Sequence, residues 1–118
     1  MLFRSKYVLR LLEDFNKRHL DEICQNLDID LPRLCIEEFL RFISPGQPSV
    51  PHLGEYIHFL AVRAMKVRID ELNQAFSQSD AKEQLRIKNL VEKMDRFSAQ
   101  SVIADYLCPS QQIGRAHV

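Results

Sequence analysis

Glycine is scarce in this sequence, and its scarcity excludes one class of site. Of the three glycines, only Gly46 and Gly54 lie away from the C-terminal end. Phosphate-binding loops need closely spaced glycines, which let backbone N–H groups approach the phosphates. These residues therefore cannot form a nucleotide-binding loop.

Cysteine is equally sparse. Cys24, Cys35 and Cys108 are odd in number, and their spacing matches no zinc or redox motif. Such a set favours reduced thiols over a disulfide framework. Because Cys24 and Cys35 fall in apolar stripes, we expect mostly buried, inert thiols in a cytoplasmic protein.

Neither sign of charge dominates, since 16 basic side chains face 16 acidic ones. Sequence-independent binding of nucleic acid needs many lysine and arginine contacts with phosphates, so we do not expect a nucleic-acid partner. A bilayer span needs about 20 consecutive apolar residues. The most apolar window, residues 56–67, is interrupted by charged side chains, so no membrane segment is predicted.

The two ends of the chain resemble translated sequencing adapter. Residues 113–118 match the in-frame translation of ATC GGA AGA GCA CAC GTC, after which the adapter continues with the stop codon TGA. Residues 1–5 match the opposite strand, GTG CTC TTC CGA TCT, and Gln112 fits the AG that precedes ATC. We expect residues 1–5 and 112–118 to be artificial. Residues 6–111 are then one helical domain, or a fragment of one, from a gene fragment such as metagenomic assemblies yield.

Apolar side chains recur every three or four residues along most of the chain, which predicts helices and no strand. The five predicted helices cover residues 6–17, 20–27, 30–43, 49–76 and 80–107. Asp30, Ser49 and either Ser79 or Asp80 are the candidate N-caps of the last three, and Pro109 follows the last helix. The expected fold is a small all-α bundle of about five helices.

The two longest predicted helices carry matching apolar stripes. These are Val62, Met65, Ile69, Leu72 and Phe76 on helix four, and Ile87, Leu90, Met94 and Phe97 on helix five. A short turn at residues 77–80 joins the helices, so we expect a long antiparallel hairpin with a coiled-coil-like seam. The stripe weakens at Ser101 and Ala104, where either the helices separate or a neighbour from the missing part of the protein approaches closely.

Residues 20–43 resemble a helix-turn-helix. Its buried positions would be Ile23, Cys24, Leu27, Ile29 and Leu34. The resemblance implies a DNA-binding transcriptional regulator that reads DNA with Arg33 and Arg41. Glu37 and Glu38 on the same helix would repel phosphates, and Asp28 stands where the motif usually has glycine. Two core helices joined by a tight turn are the preferred interpretation.

Glu55 and His58 form an E-x-x-H pair, which puts a carboxylate and an imidazole on one helix face and recurs in di-iron bundles. Those proteins need a second copy, which residues 6–111 do not contain. The pair is therefore only a weak metal candidate, and a His58 that hydrogen-bonds in apolar surroundings is the alternative. Because no histidine shows a recognisable nucleophile spacing, we predict no catalytic residue and no cofactor.

The predicted helices offer more apolar surface than one hairpin can cover, and uncovered apolar patches mark partner sites. Helix three and the first half of helix four are expected to form such a surface, with Phe39, Leu40, Phe42, Tyr56 and Phe59 as the candidate residues. The expected function is a non-catalytic interaction or regulatory module of a larger cytoplasmic protein, which binds a protein partner or the rest of its own chain. The alternatives are the helix-turn-helix regulator and a helical segment of an enzyme whose active site lies elsewhere.

Overall fold

A computed structural model of the chain describes the backbone of residues 2–107 and the side chains of residues 6–107. Every regular element in that range is helical, as predicted, and together they form an all-α bundle. The α-helices are α1 (Leu2–Asp14), α2 (Leu20–Leu27), α3 (Ile36–Phe42), α4 (Val50–Phe76), α5 (Ala81–Arg96) and α6 (Ala99–Val102). One π-helical turn, Phe15–His19, follows α1 and a second, Ile103–Leu107, follows α6.

The predictions for the chain ends lie outside these residues. The adapter origin of residues 1–5 and 112–118 stays a prediction, and the predictions for Cys108 and Pro109 fall outside the described residues. Within the described range, no helix combines the length and apolarity needed to cross a bilayer.

The first two predicted helices are continuous through the first π-helical turn. Val8, Leu12 and Phe15 are almost fully buried, so this part of the chain contributes a large share of the core. Asp28 ends α2 in the left-handed conformation, with φ 55° and ψ 47°, and its N–H donates to the Cys24 carbonyl. Aspartate is one of the few residues that adopts this conformation readily. The predicted end of the second helix at residue 27 is confirmed.

The predicted start of helix three is wrong. The N-cap is Cys35 and not Asp30, so α3 has only 7 residues. Asn16, in the first π-helical turn, donates from Nδ2 to the Leu34 carbonyl at 2.9 Å and accepts from the Leu34 N–H at 2.7 Å. Because the Leu34 N–H and carbonyl are both bonded to the Asn16 side chain, neither is available for the backbone hydrogen bonds of a helix. The segment before Cys35 is therefore held as a loop by a residue 18 positions away.

The capping and seam predictions for α4 and α5 are confirmed. Ser49 caps α4 by accepting the His52 N–H at 3.2 Å, and Asp80 caps α5 by accepting the Glu83 N–H at 2.8 Å. The buried members of the hairpin seam are Met65, Leu72, Ile87, Leu90 and Met94. Phe76 is 39% exposed, so the seam opens towards the turn.

The predicted extent of helix five is wrong, because α5 ends at Arg96. Phe97 is extended, with φ −73° and ψ 128°. Ser98 then accepts the Ser101 N–H at 3.1 Å, while the Ser101 hydroxyl accepts the Ser98 N–H at 3.0 Å. This capping box satisfies the free N–H groups at the start of a new helix, α6, and so favours the break.

The weak stripe at the end of helix five marks a close approach between α6 and α4. A Cβ on Gly54 would lie 2.6 Å from Ile103 Cγ1 and 3.1 Å from the Ala99 carbonyl oxygen. A side chain at position 54 would force Ile103 or the Ala99 carbonyl to shift, so Gly54 lets α6 and the second π-helical turn pack close to the α4 backbone.

Candidate protein-interaction surface

One contact between distant residues and one local helix cap position the surface that α3 and α4 share. The Asn16 bonds to Leu34 place the start of α3, and the Ser49 cap fixes the first turn of α4. The helices bring aromatic residues together, since α3 carries Phe39 and Phe42 near the positions of α4 that carry Tyr56 and Phe59.

Four aromatic rings follow one another in a row, which we call the aromatic ladder: Phe39, Tyr56, Phe42 and Phe59. The successive centroid distances are 5.5, 5.4 and 5.3 Å. Separations of about 4.5–7 Å are favourable for aromatic pairs. Phe39 and Tyr56 are 0% and 3% exposed, whereas Phe42 and Phe59 are 39% and 44% exposed. The ladder thus runs from the core to the surface.

The Tyr56 hydroxyl is buried near the Cys35 backbone and the Glu38 side chain. Neither group, nor any other in the described chain, meets it at hydrogen-bond distance and angle. Burial raises the pKa of Tyr56 above its ordinary value, and the negative charge of Glu38 raises it further. At neutral pH, Tyr56 therefore serves as a neutral support under the outer rings.

Charges flank the outer rings of the ladder. The Arg63 guanidinium carbon lies 5.7 Å from the Phe59 centroid, a cation–π distance. Glu55 lies one turn before Phe59 and is exposed, and Glu38 lies one turn before Phe42 on α3. The exposed part of the ladder thus has acidic groups at one end and a basic group at the other.

The predicted surface is only partly present. Phe39 and Tyr56 are buried, so neither can contact a partner. Leu40 is 39% exposed, but it lies two residues from Phe42, and helix residues with that spacing do not share a face. Phe39 is the one buried residue of α3. Phe42 and Phe59 remain as one contiguous exposed pair.

The residues of the helix-turn-helix interpretation do not lie together on one helix. Arg33 lies in the loop three residues before α3, while Arg41 is in the last turn of α3. Residues 28–35 separate α2 from α3, so the expected tight turn is wrong. Glu37 and Glu38 occupy the first turn of α3, where a helix that reads DNA usually contacts the bases.

The E-x-x-H pair has a different environment from a metal site. The His58 ring stacks on Phe97 at a centroid distance of 5.9 Å and an interplanar angle of 19°. Glu55 is exposed to solvent. Between residues 2 and 107, no group of three or more His, Cys, Asp or Glu side chains is arranged to hold a metal ion.

The two described thiols differ in environment. Cys24 and Cys35 are both free, and burial raises the pKa of the half-buried Cys24. The expectation of mostly buried thiols is wrong for Cys35, which is exposed at the N-cap of α3. It lies outside the apolar stripe because the helix begins one residue after it.

The sequence did not reveal a second aromatic cluster, which connects the two π-helical turns. Tyr106 lies 5.0 Å from the His19 ring and meets Phe15 edge-on at 6.3 Å. Burial raises the pKa of Tyr106, and the charge of Glu22 raises it further. No local pattern links residues so far apart in the chain. The cluster ties the end of the described chain to its beginning.

Arg63 was also missed as part of the surface. The sequence could have predicted this contact, because Arg63 follows Phe59 at the i,i+4 spacing that makes helix side chains neighbours. No protein-family model, curated protein or solved structure matches this chain significantly. The residues themselves therefore carry the case for a function.

Proposed function

We propose that this chain is a non-catalytic helical interaction module of a larger cytoplasmic protein, and that it binds a protein partner through Phe42 and Phe59. One observation carries the proposal: these rings are 39% and 44% exposed although they pack on each other and Phe42 packs on the buried Tyr56. Rings held by such a base lose little conformational freedom on binding. Aromatic anchors of this kind contribute much of the energy of protein interfaces.

The flanking charges support a protein partner over a nucleic acid. Glu38 and Glu55 lie beside the exposed rings, where they would repel a phosphate backbone. The helix-turn-helix alternative needs Arg33 on the reading helix, and Arg33 lies outside it. For the enzyme-segment alternative, no observation in the described residues gives specific support.

Photocrosslinking tests this proposal. Benzoylphenylalanine at position 59, in cells that express the chain, should form adducts with a polypeptide, and Phe42→Ser should reduce their yield. The same residue at position 85 is the matched control, because Leu85 is 59% exposed on α5, away from the ladder. If position 59 yields no polypeptide adduct, or no more than position 85, the proposal fails.

A further inference from the structure

The exposed stripe of α4 around Phe59 carries charges that change sign about its centre. Glu55 lies four residues before Phe59 and Arg63 four residues after it, and all three are exposed. Residues at this spacing lie on one helix face. Lys66, also exposed, continues the basic end of the stripe, and Glu38 of α3 adds to the acidic end.

The charges on this stripe of α4 are complementary to those on a second copy of the same stripe. If two copies of α4 lie antiparallel about a twofold axis at Phe59, Glu55 of each copy faces Arg63 of the other. The two Phe59 rings then meet at the axis, with the Phe42 rings beside them. The formal net charge of the chain is +0, so no long-range repulsion separates the copies.

We infer that the occupant of this surface is a second copy of the chain, bound through an antiparallel α4–α4 contact centred on Phe59. The inference rests on the proposed function and names its partner. The stripe from Glu55 to Lys66 extends about 17 Å, so the contact is smaller than the about 800 Å² per partner of a standard interface. Association is therefore weak and reversible.

Sedimentation velocity of the purified full chain tests the inference, at concentrations from about 10 μM to about 1 mM. The expected result is a reversible monomer–dimer equilibrium. Phe59→Ser should raise the dimer Kd at least about 30-fold, as for a central aromatic anchor. Leu85→Ser is the matched control on α5 and should leave the Kd unchanged. Circular dichroism of each variant should show unchanged helix content.

Charge reversal separates this arrangement from any other dimer. Arg63→Glu or Glu55→Arg alone places like charges opposite each other and should raise the Kd about tenfold. The double variant should return the Kd to within about threefold of the parent. Residues 55 and 63 are about 12 Å apart along one helix, so an ion pair within one chain cannot explain the rescue.

A chain that stays monomeric to about 1 mM overturns the inference. A dimer that is insensitive to Phe59→Ser, or one that the double charge reversal does not restore, also overturns it. If the purified chain is monomeric while position 59 still crosslinks to a different protein in cells, the second copy is excluded and the interaction module stands. If no polypeptide adduct forms either, both proposals fail.

Discussion

Gly54→Ala tests the close packing of α6 on α4, because two opposed effects decide its sign. Within a helix, alanine is favoured over glycine by about 0.8–1.0 kcal/mol. A Cβ at position 54, however, would lie 2.6 and 2.9 Å from Ile103 Cγ1 and Cδ1 and 3.1 Å from the Ala99 carbonyl oxygen. Carbon atoms pack best at about 3.5–4.0 Å, so either the Ile103 side chain or α6 must move.

The steric effect should exceed the gain in helix propensity. Overpacking of this kind costs about 1–3 kcal/mol. After the propensity gain is subtracted, Gly54→Ala should lower the free energy of unfolding by about 1 kcal/mol. Ile103→Ala removes the two nearest atoms and leaves the 3.1 Å contact with the Ala99 carbonyl oxygen, so in that background the same change at position 54 should be less destabilising than in the parent chain.

Urea denaturation followed by circular dichroism measures these differences. Asn73→Ala is the control, because Asn73 is exposed on α4 and its change alters helix propensity alone; it should stabilise the chain by up to about 0.7 kcal/mol. If Gly54→Ala stabilises the parent chain by the full propensity difference, α6 does not pack against α4 as described.

Two other substitutions test the polar contacts that shape the surface. Asn16→Ala removes both hydrogen bonds to Leu34, at 2.9 and 2.7 Å. It should lower the free energy of unfolding in urea by about 2–3 kcal/mol, and a loss below about 0.5 kcal/mol would contradict the role of Asn16 in holding the loop. Tyr56→Phe removes a buried hydroxyl without a hydrogen-bond partner, so it should leave stability unchanged or raise it by up to about 1 kcal/mol. Because the pKa of Tyr56 is raised above 10.0 in the fold, its contribution to stability is present below pH 10.0 and is lost as pH rises through the raised value. Thermal unfolding at alkaline pH should therefore show a smaller loss of stability for Tyr56→Phe than for the parent, and equal losses would contradict the shift.

The spacing of apolar residues predicted part of the candidate surface, but it did not predict which of its rings are exposed. Apolar spacing identified α3 and the start of α4 as the region with uncovered aromatic residues, and Phe42 and Phe59 are exposed there. The same spacing could not rank these two against Phe39 and Tyr56, which are buried. Whether a ring is covered depends on the angle at which two helices pack, and that angle cannot be predicted from the sequence of either helix by itself.

Residue spacing alone was enough to predict the helical class, the hairpin of α4 and α5, the cap at Ser49, and a cap of α5 at either Ser79 or Asp80. These features depend on side chains within a few residues of one another, so their spacing is sufficient to predict them. The start of α3 and the packing of α6 depend instead on contacts between residues that are far apart in the chain. Asn16 acts on Leu34 from 18 positions away, and Gly54 meets Ile103 across two helices. Such contacts exist only once the chain has folded back on itself, so no local pattern contains them.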